Sequence, residues 1–445
     1  MRRRWSRRLA VVPVLALLAP LVAACQDDAD PAPAPAPGVV ELSLGVFGSE
    51  AVVAAYQSMV DSYNDTAQSV QVELVSWSSS EEMTASLDGA DAPDVYLVAR
   101  RDLAGVIENE RNVPLFELLA ERNISYGDDY APPAIEAFSA DDDLQCMPSA
   151  TSPMVIYYNT DLIDFETMRE RGLPAPADVA EGWTFEEFSA AATFASRRGG
   201  VKGVSITPTL RSLAPFLLSG GGSLYDDAGD PTSLDFSSSD NVDTLSTILP
   251  LLRDAGVTLS EEQLEEASPL EWFERGELGM VEGFRDLVPE LREVEGLDFD
   301  VMPIPRVGGP ATVGEVSGLC IAPGEHVQQA ADLLVHLISD ESTEALARSG
   351  EVVPANLSVA RSEAFLQPGQ EPANAGVFNA SVDDLVLLPL VDDVVALDEA
   401  VQPLLSELLL SLGAVDAPTV AAEIDEVSRS VLDPDYTPSP ESSTS

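Results

Sequence analysis

From Val39 onward, hydrophobic positions switch between the two-residue period of a strand and the period of about 3.6 that marks a helix. Leu42, Leu44 and Val46 alternate with polar or small residues, as in a strand with one buried face. Val52, Val53, Tyr56, Met59, Val60 and Tyr63 then recur at helical spacing, and Ser49 stands where an N-cap belongs. Val70, Val72 and Leu74 alternate again up to Trp77, followed by a helical stretch over Glu81–Leu87. Pro93-Asp94-Val95-Tyr96-Leu97-Val98 ends in a continuous apolar run, which fits a strand covered on both faces. This β-α-β succession predicts a mostly parallel sheet with right-handed crossovers. Ligands on such sheets sit beyond the carboxyl ends of the strands, here Phe47-Gly48-Ser49, Trp77-Ser78-Ser79 and Ala99-Arg100-Arg101-Asp102.

Farther along, Met154–Tyr158 and Val204–Thr207 read as strands. Trp183–Arg197 reads as a helix opened by a capping box, Thr184 with Glu187 three residues on. Gly220-Gly221-Gly222 and Asp226-Asp227-Ala228-Gly229 are turn-forming clusters. The pattern predicts helices over Asn241–Ala255 and Glu261–Phe273, and short strands near Leu278–Val281 and Phe299–Pro303. A long amphipathic helix is expected over Val327–Ser349, closed by Gly350, and a Leu/Val-rich helical region over Asp383–Leu412. From Asp433 the chain is Pro/Ser-rich and expected to be disordered.

Composition adds class and location. A 45% hydrophobic content over 445 residues is ample for packed cores, so the length fits two or three domains or one large two-lobed unit. With 23 basic against 76 acidic residues the formal charge is −53, which argues against a nucleic-acid partner, because phosphates are gripped by Lys and Arg clusters. Arg2, Arg3, Arg4, Arg7 and Arg8 precede an apolar run from Leu9 to Ala24 that is interrupted by Pro13 and Pro20. That is the layout of a secretory signal, too short for a comfortable membrane span. The run ends Val22-Ala23-Ala24-Cys25, which resembles the bacterial lipobox, in which the cysteine is lipidated. Gln26–Gly38 is acidic and then Pro/Ala-rich, suited to a semi-rigid spacer.

Enzymatic chemistry finds little support. His326 and His336 are the only imidazoles, and ten residues of helix would set them about 15 Å apart along the axis, so they cannot share a metal. No GxSxG, HExxH or P-loop is present. Gly220–Gly222 lacks the Lys-Ser/Thr of a phosphate loop and reads as a helix-ending turn. The Asp226, Asp227, Asp230 cluster lacks the spaced ligands of a calcium loop and reads as a hairpin turn. Cys146 and Cys320 are the only cysteines after Cys25; exported, they either pair or stay as two buried thiols.

Several motifs fall into one order: Pro93-Asp94-Val95, Cys146-Met147-Pro148, Tyr157-Tyr158-Asn159-Thr160-Asp161, and Gly182-Trp183-Thr184-Phe185-Glu186. They continue with Gly220-Gly221-Gly222, Phe273-Glu274-Arg275-Gly276, Val301-Met302-Pro303 and Val316-Ser317-Gly318. This order resembles the extracellular solute-binding proteins of ABC importers, in the family that contains maltose- and other sugar-binding proteins, over about residues 39–430. The resemblance implies an α/β, two-lobed periplasmic-binding-protein-like fold (type II), each lobe a mostly parallel sheet flanked by helices and joined by crossing hinge strands. The expected division is a lipoprotein signal peptide at 1–24, a tether at 25–38, lobe 1 at 39–147 with 319–352, lobe 2 at 148–318 with 353–432, and a disordered tail at 433–445. Crossings are expected near Gln145–Pro153 and Gly314–Ile321, which would put Cys146 and Cys320 on hinge strands and favour a disulfide between them.

Carried over residue by residue, the resemblance implies a cleft lined by Phe47, Gly48, Ser49, Arg100, Arg101, Asp102, Thr151 and Ser152. From the other lobe and the second crossing it adds Arg211, Gly221, Glu282, Phe284, Arg285, Ser317 and Gly318. Trp77 either offers an aromatic face to a sugar or packs within its lobe, and Trp183 is expected in the core. Where sugar-binding members often carry a tryptophan, this chain has Glu282-Gly283-Phe284-Arg285, so a small sugar or an acidic derivative held by arginines is expected. The implied partners are a small solute, most simply a carbohydrate, and the transmembrane subunits of an ABC permease. A lipid anchor on Cys25 implies the membrane as a further partner of a monomer that needs no cofactor or metal. A ligand-sensing surface lipoprotein, or a receptor for a peptide, polyamine or oxyanion, stays open at this point.

Overall fold

The computed structural model describes residues 38–89, 92–391, 394–411 and 413–437. The expected signal peptide, Cys25, nearly all of the tether and the end of the tail lie outside them. Val39 onward forms one compact unit. Its alternating segments become β1 (Val40–Phe47), β2 (Val70–Trp77) and β3 (Val95–Ala99), linked by the helices Glu50–Thr66 and Ser80–Ser86. Ser49 caps the first helix, its Oγ accepting from Val52 N at 3.2 Å. β1 pairs in parallel with β2 and with β3, and β3 is buried along its whole length, as its unbroken apolar run requires.

Nine further strands follow among the described residues. β4 (Ser139–Ala140) and β5 (Asp143–Leu144) make a small hairpin, and β6 (Met147–Pro153) is followed at once by β7 (Val155–Asn159). Then come β8 (Lys202–Ser205), β9 (Leu278–Gly283), β10 (Phe299–Met302), β11 (Gly314–Ile321) and β12 (Val353–Pro354). They build a six-stranded sheet of order β12-β6-β11-β3-β1-β2 and a four-stranded sheet of order β10-β7-β9-β8. β7 and β9 alternate their side chains between two cores: Tyr157 and Val281 face the core shared with the larger sheet, Ile156 and Met280 the other.

The sheets are less parallel than expected. Parallel pairing is confined to β1 with its neighbours and to β8 with β9; the remaining pairs are antiparallel. The reason is the double crossing: the chain leaves the first sheet along β6 and returns along β11, so the two strands must oppose one another. Residues 148–153 and 314–318, assigned above to lobe 2, are therefore strands of the first sheet, and so is β12 at Val353–Pro354. Cys146, next to β6, is bonded to Cys320 of β11 across the two crossing strands, with a Cα–Cα distance of 4.4 Å.

Three predicted helices are interrupted, each by its own residues. The Glu261–Phe273 stretch divides into Glu261–Glu266 and Pro269–Glu274, because Ser268 caps a new helix and Pro269 opens it. The Val327–Ser349 stretch divides into Val327–Leu337 and Asp340–Ala347, with Ser339 Oγ accepting from Ser342 N at 3.3 Å. In the Asp383–Leu412 region a helix runs only over Val394–Leu410, and Val386–Val391, which contains Pro389, has no regular structure. A helix at Leu210–Ser219 precedes the Gly220–Gly222 turn, and another at Ala417–Leu432 closes the fold. The first residues of the tail are ordered, since the Tyr436 hydroxyl donates to Glu426 of that last helix.

Candidate functional site

A cleft of about 440 Å³ lies over the crossing strands. Its floor is Ala150, Thr151 and Ser152 of β6 with Glu315, Val316 and Ser317 of β11, where Glu315 pairs with Ser152 and Val316 with Thr151. The carboxyl ends of β1 and β3 supply one wall, as parallel-sheet logic requires: Phe47, Gly48 and Ser49 from one, Ala99 and Arg101 from the other. Gly48 turns the chain there at φ +139°, a conformation that a side chain would strain, and its open face lies against Val52. Leu346, Glu351 and Val352 close another side, and Asp286, just beyond β9, contributes from the second sheet.

The hydroxyl groups differ in availability. Ser49 Oγ, besides capping its helix, donates to Glu351. Thr151 is almost wholly buried and its hydroxyl is turned to Val353 O at 3.4 Å. Ser152 and Ser317 are half-buried, and their hydroxyls make no hydrogen bond to any described residue. Tyr56 shares a hydrogen bond of 2.8 Å with Ser149 Oγ, and burial pushes its hydroxyl up to about 12, so it stays neutral.

Charge at the cleft is organised around Glu315. Arg101 Nη1 reaches Glu315 Oε2 at 3.4 Å from the first sheet, and Arg211 Nη2 reaches Glu315 Oε1 at 3.2 Å from the helix Leu210–Ser219. The Arg211 guanidinium lies over the Phe284 ring at 4.2 Å, which fixes the approach of that arm. Asp286 is raised above the ordinary carboxylate range by burial, partly offset by Arg211. Glu282 lies beneath: burial raises it from 4.5 to about 7, its Oε1 accepts from Thr207 N at 3.4 Å, and its Oε2 has no partner.

Of the sixteen residues expected at the cleft, Phe47, Gly48, Ser49, Arg101, Thr151, Ser152 and Ser317 line it. Arg211 and Phe284 stand behind Glu315, and Glu282 lies below them. The others are elsewhere. Trp77 folds over Gly45 beside Pro93, where a Cβ on Gly45 would sit 3.0 Å from the indole, so its ring is spent on sheet packing. Arg100 donates to Leu388 O at 2.8 Å, and Asp102 accepts from the Ser80 hydroxyl. Gly221 completes a helix-ending turn at φ +93°. Gly318 lets the Phe138 ring approach, a Cβ there falling 2.9 Å from it. Arg285 is fully buried between the Phe365 and Phe378 rings, at 4.9 and 5.1 Å, and burial lowers it to about 10. Sequence reasoning missed Tyr56, Leu346, Glu351 and Glu315, since helical spacing makes the first two look like core and nothing local distinguishes the acids.

A second cavity, of about 490 Å³, is lined by Trp183, Arg306, Thr312, Asn374, Ser381 and Asp384 among others, and takes no residue from the six-stranded sheet. Trp183 itself is core, with Nε1 donating to Pro303 O at 2.8 Å. His336 contacts Met59 O and the Tyr63 ring, away from the cleft. Among the described residues no cluster of three or more His, Cys, Asp or Glu is arranged to hold a metal, and no helix is long and apolar enough to cross a membrane.

Two sheets joined by paired crossing strands, with a hydroxyl-bearing cleft above the crossing, is the geometry of a receptor that closes on a solute. Residues 58–373 match the family described as bacterial extracellular solute-binding protein. This chain belongs to that family. As a solute-binding protein it shares its fold with solved structures at low sequence identity. The sugar-binding protein MalE from the phytopathogen Xanthomonas citri is 17% identical, with a TM-score of 0.72, covering 88% of this chain and 97% of that one. An ABC substrate-binding protein from Listeria monocytogenes, in complex with cycloalternan, is 18% identical with a TM-score of 0.69 over 88% and 98%. The GacH receptor of Streptomyces glaucescens, solved unliganded and with acarbose, is 18% identical with a TM-score of 0.66 over 90% and 100%. No curated protein sequence matches the chain.

Proposed function

We propose that this solute-binding protein is an exported lipoprotein, anchored through Cys25, that captures a small neutral carbohydrate in the cleft and hands it to an ABC permease. The observation that carries the reading is the cleft floor, where unpartnered Ser152 and Ser317 hydroxyls lie on the two crossing strands, between arms from both sheets that meet on Glu315. Hydroxyls offer both donors and acceptors, which suits a polyol better than a single-sign ion. Support also comes from the structurally similar proteins, one named for sugar binding, one an ABC substrate-binding protein with cycloalternan, one with acarbose. A solute that touches both lobes binds the closed arrangement better than the open one and shifts the population toward it. The lipobox-like Cys25 and the Pro/Ala spacer support tethering outside the cytoplasmic membrane.

Thermal-shift screening of the protein from Gln26 onward, against mono- to tetrasaccharides, polyamines, oxyanions and short peptides, tests this reading. At a hundredfold excess over Kd a ligand adds about 2.7 kcal/mol, a rise in melting temperature that is easily seen. At least one sugar should stabilise the protein; silence across sugars with a response to another class contradicts the reading.

A further inference from the structure

Both guanidiniums at the cleft are already occupied. Arg101 comes from the end of β3, Arg211 from a helix of the second lobe, and each places one nitrogen on a different oxygen of Glu315, at 3.4 and 3.2 Å. The three side chains are about half exposed, at 52%, 45% and 44% for Arg101, Arg211 and Glu315, so the pairs add little to stability. Their effect falls on what enters. Among the described residues no other arginine lines this cleft: Arg100 is turned to Leu388 O and Arg285 is buried between two phenylalanines. The remaining charges on the lining, Asp286 and Glu351, are negative.

We infer that Glu315 is a specificity-determining residue: its carboxylate fills the guanidinium pair at the cleft, so the site accepts neutral sugars and turns away sugar acids. This inference rests on the carbohydrate reading and reverses the expectation that arginines would hold an acidic derivative. A uronate carboxylate could reach Arg101 or Arg211 only by displacing Glu315, and would then face Glu315, Asp286 and Glu351 at close range. Like charges crowded at one site disfavour the anion without weakening any contact to neutral hydroxyls. The pairing also ties together an arm from each lobe, so removing the carboxylate exposes two cations that face one another across a gap of carboxylate size.

Calorimetric titration with D-glucuronate and its neutral isostere D-glucuronamide, and with D-galacturonate, tests the assignment in wild type, Glu315→Gln and Arg211→Gln/Glu315→Gln. Glu315→Gln should bind the uronates about tenfold or more tightly than wild type does, and its preference for glucuronamide over glucuronate should shrink or reverse. The double variant should lose that gain, a result that a merely structural role for Glu315 would not produce. Uronate affinity in Glu315→Gln no greater than in wild type overturns the assignment, as does wild type binding glucuronate as well as glucuronamide. Silence of the sugar panel described above would instead remove the carbohydrate reading, so the two failures are separable.

Discussion

Reducing the Cys146–Cys320 bond should cost the protein a large part of its stability. The bond closes a loop spanning 174 residues of sequence, and the chain-entropy relation assigns such a cross-link about 5 kcal/mol at 25 °C, by restricting the unfolded chain. Both cysteines are fully buried, and reduction removes no atom from the core beyond separating the two sulfurs, so loss of packing adds little. The loop contains the whole four-stranded sheet, and the bond pins β6 to β11 at the first-sheet end of the crossing. Urea unfolding of the protein from Gln26 onward, followed by tryptophan fluorescence with and without dithiothreitol, measures the difference. With a slope of several kcal/mol per molar, expected for a chain of this size, the reduced midpoint should fall by about 1 M. Equal midpoints in the two conditions would refute the entropic reasoning. Two reactive thiols in denatured, unreduced protein would refute the bond itself.

Three other perturbations act on separate parts of the molecule. Glu282 has its folded pKa raised to about 7 from an ordinary 4.5, so between those values the folded state holds the proton that the unfolded state has released; stability should fall as pH rises through that window and level off above it, by up to about 3 kcal/mol. Glu282→Gln should flatten that slope in melting temperature against pH, and an unchanged slope would show that Glu282 is not its source. Arg285→Met replaces a buried cation whose Nε and Nη1 have no partner with an apolar chain of similar length; the variant should be as stable as wild type or more so, with sugar affinity unaltered, whereas a loss above about 3 kcal/mol would show the guanidinium to be needed. Thr184→Ala removes the hydroxyl half of the capping box at Phe185–Ser196, the bond accepted from Glu187 N, while the backbone N–H of residue 184 still donates to Glu187; it should cost about 1 kcal/mol of unfolding free energy in urea, with no effect on ligand binding because the helix start is outside the cleft.

Local physics was legible in the sequence where one residue decides one element. Ser49 and Thr184 read as caps and are caps, because the hydrogen bond they make reaches only to the next turn. The apolar run at Val95–Val98 read as a doubly covered strand, and β3 is one. Breaks at Ser268 and Ser339 were hidden by hydrophobic periodicity on either side, although each serine carries the same capping chemistry. Pair direction was not legible, because strand polarity at the crossing follows from the return path of the chain and not from residue pattern. The cleft floor at Thr151, Ser152 and Ser317 came through motif order, but the Arg101–Glu315–Arg211 arrangement joins residues far apart in sequence, among acids that are everywhere. Trp77 and Arg285 show the complementary limit: both flank the expected strand ends, and packing against Gly45 or between Phe365 and Phe378 decides where they point.

A sugar bound as proposed bridges the two lobes above the crossing strands. A crystal structure of the protein with the sugar that most raises its melting temperature tests it directly. Ligand density should lie in contact with Ser152 and Ser317 on the floor, Ser49 on one side and Asp286 on the other, with Glu315 still held by both arginines. Density in the cavity beside Trp183 and Arg306, or density touching one lobe alone, would contradict it.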